Sequence, residues 1–437
     1  MSQSISLVSL ARQILEAAEK LEQAKPGSIT EQEHIESRNA IVSATYDLRT
    51  QVFTGAQLVE NHLVGYHTMS CLAWLVHFNI FTHVPIPTSS SGDMSEKVVS
   101  YAELSTRAGV PLSRLQSVAR TAMTSGLFRE TEDGSSIFHT DLSAEFARDI
   151  SLRDWVKFIT VYLSPTASKM AEATARWGDT DVKHHTAFNI ALATDHPFFD
   201  YLKVTPGLAD EFAGYMRALS CSEALNLKHL VDGFGWGGLG RDAVVVDVGG
   251  STAQASIAVA KRFPDLRFIV EDLPEVVVAG PGIVAEAEEA TPSREGRQLS
   301  SRITFVEHDF FNPQPKLHVN GDVAVPSVYL LRRILHDWPT ARAREILQQL
   351  AVALRDGQNP QARIVIMDTI LPPVGTLGPH EEAKLRVRDL AMAQIFNSQE
   401  RELSEWKELL ESTEPKLMIK AWRNPVGSSL AVIEAGL

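Results

Sequence analysis

The chain has 437 residues, of which 44% are apolar and 22% charged, with a formal net charge of −13. That length suggests two or three domains, and that composition excludes wholesale disorder. The acidic balance repels a polyanion unless a basic patch is present, and the densest run of cations, Lys384 to Arg388, stands beside Glu381 and Glu382, so no nucleic-acid partner is expected.

Cys71 and Cys221 make neither a disulfide framework nor a zinc pattern, and both are expected as buried apolar residues. No bound metal is expected. The N-terminus lacks the basic and apolar regions of a signal peptide. The most apolar stretch, residues 68–84, contains His77 and His83 and falls short of the about 20 apolar residues a membrane span needs. It reads as a buried helix, and the protein as a cytoplasmic one with no membrane partner.

In chain order, Leu7, Leu10, Ile14, Ala17 and Leu21 fall at helical spacing, and residues 31–60 continue in that character. Their apolar stripes need a partner surface, in the same domain or on a second subunit. Pro85, Pro87 and the run Ser89 to Gly92 read as a loop. A short helix from Tyr101 stopped by Gly109, a second from Pro111 to Ser125 and a hairpin turning at Asp133-Gly134 together read as a winged-helix unit. With only Arg114 and Arg120 as cations in its second helix, the unit reads as a packing and dimerisation module, not a DNA reader. Residues 150–225 are mostly helical and rich in aromatics and methionines.

The character changes near residue 230. Gly233, Gly235, Gly237, Gly238 and Gly240 read as a flexible lead-in. The apolar run from Ala243 to Val248 has the mark of a central parallel strand. Further strands are predicted at 267–270, 303–306, 323–331, 363–367 and 431–434, and helices at 253–263, 341–354 and 401–410. This alternation implies a doubly wound sheet. Residues 285–301 read as an acidic surface loop or insertion.

Four signals carry chemistry. In Val244-Val-Val-Asp247-Val-Gly249-Gly250-Ser251, a strand ends in an acid and a glycine turn, which lets backbone approach a ligand at a helix N-terminus. Ser251 and the missing third glycine disfavour a dinucleotide. Asp272, 25 residues beyond Asp247 in Glu271-Asp272-Leu273-Pro274, suits the two ribose hydroxyls of an adenosine ligand. The acid and aromatic of His308-Asp309-Phe310 suit an adenine ring. In Leu335-His336-Asp337-Trp338, the histidine stands past a strand end with a pKa suited to a general base. Asp368 and Glu400, the latter opening the late helix, are candidate acids to orient it.

In this order the signals resemble the plant- and fungal-type O-methyltransferases related to caffeate O-methyltransferase, over nearly the whole chain. The resemblance implies an α/β fold: a Rossmann-like doubly wound methyltransferase domain over residues 229–437, preceded by a mainly helical domain over residues 1–228 with a winged-helix dimerisation unit. It implies a homodimer, S-adenosyl-L-methionine as cofactor, and a small aromatic or polyketide-derived substrate methylated at a phenol or enol hydroxyl. Asp247, Gly249, Gly250, Asp272, Leu273, Asp309, Phe310 and Arg332 would serve the cofactor. His336 would deprotonate the acceptor, supported by Asp337, Asp368 and Glu400, and Phe212, Met216 and Met392 would line the substrate pocket. Ser251 and Ala253 stand where the family commonly has glycines. Fungal members that bind the cofactor without methylating, and instead direct dehydration and pericyclic cyclisation, also need an acid or base at the position of His336. The complete His, Asp and Glu set favours methylation.

Overall fold

The β-branched run at Val244 builds the centre of a seven-stranded sheet, because side chains stiff at χ1 pack well on a pleated surface covered on both faces. The computed structural model describes residues 6–23, 30–86, 97–290, 298–319 and 321–437, apart from the side chains of residues 31, 32 and 221. The Ser89 to Gly92 run and Pro87 lie outside them. The described chain forms two compact units. One comprises Met1–Ala173, Ala187–Leu219 and Gly378–Glu381, the other Thr174–Thr186, Ser220–Leu377 and Glu382–Leu437.

The sheet belongs to the second unit. Its strands are β1 (Val244–Val248), β2 (Arg267–Asp272), β3 (Ile303–Glu307), β4 (Pro326–Arg332), β5 (Arg363–Asp368), β6 (Met418–Arg423) and β7 (Ala431–Gly436), in the spatial order β3-β2-β1-β4-β5-β7-β6. The first five run parallel; β7 is antiparallel to β5, and β6 to β7. One face packs Val246, Val248, Ile366 and Ile433 against Ile346, Leu347 and Leu350 of helix Thr340–Asp356 and Trp406 and Leu410 of helix Leu403–Glu411. The chain order reverses between β1 and β4, the switch point at which open α/β sheets present a crevice at the carboxyl ends of their strands.

Several sequence expectations change here. The glycine-rich lead-in is structured: Lys228–Gly233 and Trp236–Leu239 are helical, and fully buried Trp236 donates its indole N–H to the Leu230 carbonyl at 2.9 Å. The run at 323–331 is split, with Asp322–Val323 in a small hairpin with His318–Val319 and the sheet strand starting at Pro326. The helix expected from Arg401 starts at Leu403, because Arg401–Glu402 pair in parallel with Ile370–Leu371 and Glu402 caps the helix. Glu400 therefore precedes a strand. Of the expected acidic loop, residues 285–289 belong to helix Gly280–Glu289, residues 291–297 lie outside the described residues, and Leu299–Ser301 form a 3₁₀ turn.

In the first unit, helices Leu7–Gln23 and Glu31–Val52 are followed by Gly55–His77, and the last two open on capping boxes at Thr30/Glu33 and Thr54/Gln57. The apolar stretch at 68–84 is broken at Asn79, in the left-handed region at φ 53°, and resumes as Ile80–His83. Cys71 is a half-buried free thiol, not a fully buried one. Helices Tyr101–Ala108 and Leu112–Met123 lie in sequence between the strands Val98–Ser100, Arg129–Glu130 and Ser136–Phe138, which form one small sheet. Their core joins Leu75, Phe81, Leu104, Leu115 and Phe128. His139 is a packing histidine, its ring nitrogens 2.9 Å from the Ser143 hydroxyl and 3.0 Å from the Phe81 carbonyl. Among the described residues, no helix is long and apolar enough to cross a membrane.

Candidate active site

The parallel register sets the carboxyl ends of five strands side by side, so that Asp272 pairs with Glu307 and Met367 with Arg332. Beyond β1 the chain makes a sharp turn. Gly249 has φ +69°, and a Cβ there would come within 2.8 Å of Ile334, so glycine is required both for the backbone and for the close approach of the segment after β4. Ser251 (φ 51°) and Ala253 (φ 68°) are also left-handed. Both positions thus have the backbone of a glycine while carrying side chains.

The turn is held from two sides. The Glu271 carbonyl accepts the Gly249 and Gly250 N–H groups at 2.8 and 3.1 Å. The Asp272 carboxylate accepts the N–H of Ser251 through one oxygen and that of Leu273 through the other, both at 2.8 Å. From beneath, buried Asp247 accepts the Ser256 hydroxyl at 2.6 Å. Burial raises the Asp247 carboxyl to about 6 against the opposing effects of Ser256 and Arg332. Arg332 donates to the Leu225 carbonyl at 2.9 Å, and desolvation lowers its guanidinium to about 10. Phe310 reaches the turn, with a ring carbon 3.4 Å from where a Gly249 Cβ would stand, and meets Trp338 edge-on at 5.9 Å. Asp309 accepts the Phe311 N–H at 3.0 Å.

The second cluster surrounds His336, on the 3₁₀ turn Leu335–Asp337 that follows β4. Its Nδ1 lies 3.0 Å from Glu400 Oε1 and 3.3 Å from Asp368 Oδ1, and its Nε2 lies 3.4 Å from Asp337 Oδ1. His336, Asp368 and Glu400 are all buried. Desolvation pulls the imidazole pKa down, but Asp368, Glu400 and Asp337 together outweigh it and carry it up to about 9. Burial lifts Asp337 to about 6, with His336 and Arg333 opposing. The ligand-type atoms of His336, Asp368 and Glu400 lie within 4.8 Å of one another. With Nδ1 engaged by Glu400, the imidazolium itself supplies the positive charge that these acids face.

Eleven of the twelve residues of the two predicted sets lie at or just beyond the ends of β1 to β5, and the twelfth, Glu400, immediately precedes the short strand Arg401–Glu402. Met392 lies on helix Pro379–Phe396 of the same unit. Phe212 and Met216 lie on helix Leu208–Cys221 of the first unit, where Phe212 packs 5.6 Å from Phe158 and 5.4 Å from Phe198. Sequence reasoning missed Arg401, whose guanidinium donates to the carbonyls of Leu335 and Trp338 on either side of His336. The only signal was its adjacency to Glu400.

Residues 174–414 match the model of the O-methyltransferase domain family. The chain is 44% identical over 398 residues to the O-methyltransferase VdtC of Byssochlamys spectabilis, covering 91% of this chain and 86% of that one. It is 39% identical over 402 residues to the O-methyltransferase aurJ of Gibberella zeae, covering 92% and 87%. In fold it is similar to OxaC, with a TM-score of 0.73 at 19% identity over 99% and 98% of the two chains. It is also similar to LepI in complex with S-adenosylmethionine, with a TM-score of 0.71 at 21% identity over 99% and 98%.

Proposed function

Because the chain belongs to the O-methyltransferase domain family, and is an O-methyltransferase of fungal secondary metabolism with S-adenosyl-L-methionine as cofactor, we propose that it methylates a phenol or enol hydroxyl of a small aromatic or polyketide-derived metabolite with His336 as general base. The observation that carries this is the buried imidazole whose Nδ1 is taken by Glu400 at 3.0 Å, so that in the neutral form of the ring Nε2 is the nitrogen left to receive a proton.

The donor set fits the cofactor. A carboxylate at the end of β2 suits a vicinal diol, Leu273 and Phe310 offer apolar surface to an adenine ring, and Asp309 can accept from its amino group. The glycine turn at Gly249 and Gly250 gives backbone access for the amino-acid end, and Asp247 serves it by fastening that turn to Ser256. Arg332 adds a cation near the same end. When bound, S-adenosylmethionine supplies a methyl group already activated by the sulfonium. The chain's own task is then alignment of the acceptor oxygen and removal of its proton. His336 Nε2 takes that proton, and Glu400 and Asp368 stabilise the imidazolium formed. Asp337 supports the geometry from the Nε2 side, and Met392 supplies an apolar contact to the substrate.

The same reading has the enzyme act in the cytoplasm as a homodimer, with the helix, turn, helix and hairpin at residues 98–138 as a winged-helix dimerisation unit. Leu58, Val59, Leu63, Val64 and Tyr66, all exposed on helix Gly55–His77, support it. Sedimentation as a monomer at micromolar concentration would sink it.

The test of function is incubation with methyl-labelled S-adenosylmethionine and a fungal metabolite extract, followed by mass spectrometry. Label in a new, heavier metabolite is expected. A new unlabelled metabolite with the cofactor intact would overturn methyl transfer in favour of a fixed-charge role in cyclisation.

A further inference from the structure

Arg401 is 1% exposed and directly follows Glu400. Its two terminal nitrogens donate to the carbonyls of Leu335 at 2.8 Å and Trp338 at 2.9 Å, the residues that open and follow the turn bearing His336. The guanidinium carbon lies 5.4 Å from the Trp406 ring, and the Trp406 indole donates to the carbonyl of Thr369, next to Asp368, at 2.9 Å. One guanidinium and one indole thus tie together the three chain segments that supply the imidazole and two of its carboxylates. A planar fork of fixed donors can hold two carbonyls at once, which a lysine ammonium on a flexible stem does poorly. A buried cation is costly unless its charge is answered, and here Asp368, Glu400 and Glu405 answer it against the desolvation that lowers its pKa.

We propose that Arg401 is a positioning residue for methyl transfer, which locks the 335–338 turn so that His336 faces Glu400 and offsets the surplus of carboxylates around the imidazole. The proposal rests on the reading of His336 as the base. Three acids, Asp337, Asp368 and Glu400, face one imidazole. Around them stand further charges: Arg333 beside Asp337 and Asp368, Arg332 beside Asp368, Arg388 beside Glu400, and Asp389, whose carboxylate accepts the Glu400 N–H at 2.9 Å. Removing the Arg401 charge leaves the acids less compensated, so the imidazole holds its proton to higher pH and the free base becomes scarcer at neutrality.

The test compares the full-length enzyme with Arg401→Lys and Arg401→Met. It reads methyl transfer against pH, the split between kcat and acceptor KM, thermal melting, and the titration of His336 by NMR of ring-labelled histidine. For Arg401→Met, kcat is expected to fall about tenfold to a hundredfold with little change in KM, as for a misplaced catalytic group. Its acid limb and imidazole titration should move up by about one pH unit. Arg401→Lys keeps the charge, so it should restore the limb while kcat stays reduced. A folded Arg401→Met with the wild-type limb and wild-type imidazole titration overturns the electrostatic role. Full kcat in Arg401→Lys overturns the clamp, and that variant decides the clamp should the methionine variant fail to fold. If His336→Ala kept the wild-type rate, the base assignment itself would fail, whereas the NMR titration would still report whether Arg401 sets the environment of His336.

Discussion

The carboxylate of Asp272 accepts the backbone N–H of Ser251 at 2.8 Å, so the acid that ends β2 is tied to the glycine turn that ends β1. The same group is assigned to the ribose, and its loss should act twice, by removing a partner for the diol and by releasing the turn. Asp272→Ala is expected to weaken S-adenosylhomocysteine binding by about 2 kcal/mol or more, the scale of a hydrogen bond to a charged group. Calorimetric titration would check this, and unchanged affinity would remove Asp272 from the site.

His336 should govern the pH dependence of turnover. Its pKa is raised to about 9, so at pH 7 only about one molecule in a hundred carries the free base. The rate should therefore climb with pH towards 9. Glu400→Gln removes one acid that holds the proton, so its acid limb should lie at lower pH, while kcat falls because Nδ1 loses its carboxylate. His336→Ala should fold, bind cofactor and lose about 10²-fold to 10⁴-fold in rate. A flat wild-type profile between pH 6 and 9 would contradict the assignment.

Ser251 and Ala253 carry side chains in left-handed backbone, a conformation that costs a non-glycine residue about 1–2 kcal/mol. Glycine relieves this at the expense of a more flexible unfolded chain. Ser251 is exposed, so Ser251→Gly should stabilise by about 1 kcal/mol. Ala253 is fully buried, and Ala253→Gly forfeits an enclosed methyl worth about 0.8 kcal/mol, so its gain should be smaller. Melting temperatures would rank them, and the reverse order would refute the argument.

Glu271 is a buried acid outside the catalytic set. One oxygen accepts from the Gln314 amide at 3.1 Å, and the other has no hydrogen-bond partner among the described residues. Burial raises its pKa to about 7, partly offset by Gln314. A folded-state pKa above the unfolded value means that the folded form binds the proton more tightly. Stability from this group is therefore full below about pH 4 and is lost as pH rises to 7. Glu271→Gln should be nearly neutral at pH 5 and stabilising at pH 8, by about 3 kcal/mol at most. Denaturant melts at the two values would show it, and equal effects at both would exclude ionisation as the cause.

Legibility in the sequence followed burial. The central strands are continuous apolar runs, and every one of β1 to β5 was placed within a few residues. Edge strand β6, Met-Ile-Lys-Ala-Trp-Arg, is mostly exposed and carries no such run, so nothing marked it. Pairing of Arg401–Glu402 with Ile370–Leu371 is non-local and only two residues long, below what periodicity can register. The motifs named the chemical groups around His336, but not the carbonyls that Arg401 holds, because backbone acceptors leave no trace in residue identity. The glycine turn was readable as a turn. That Ser251 and Ala253 keep glycine-like backbone is a matter of torsion, which side-chain identity conceals.

The alternation of chain segments between the two units has a consequence for how this protein can be cut or recombined. The polypeptide passes from one unit to the other at residues 173/174, 186/187, 219/220, 377/378 and 381/382. No single break therefore releases an intact half: wherever the chain is opened, at least one unit loses a piece of itself. Exchange of substrate-facing helices between relatives by a single crossover would carry mismatched segments into one unit or the other. Diversification of such an enzyme is then confined to point changes, or to grafts with paired junctions.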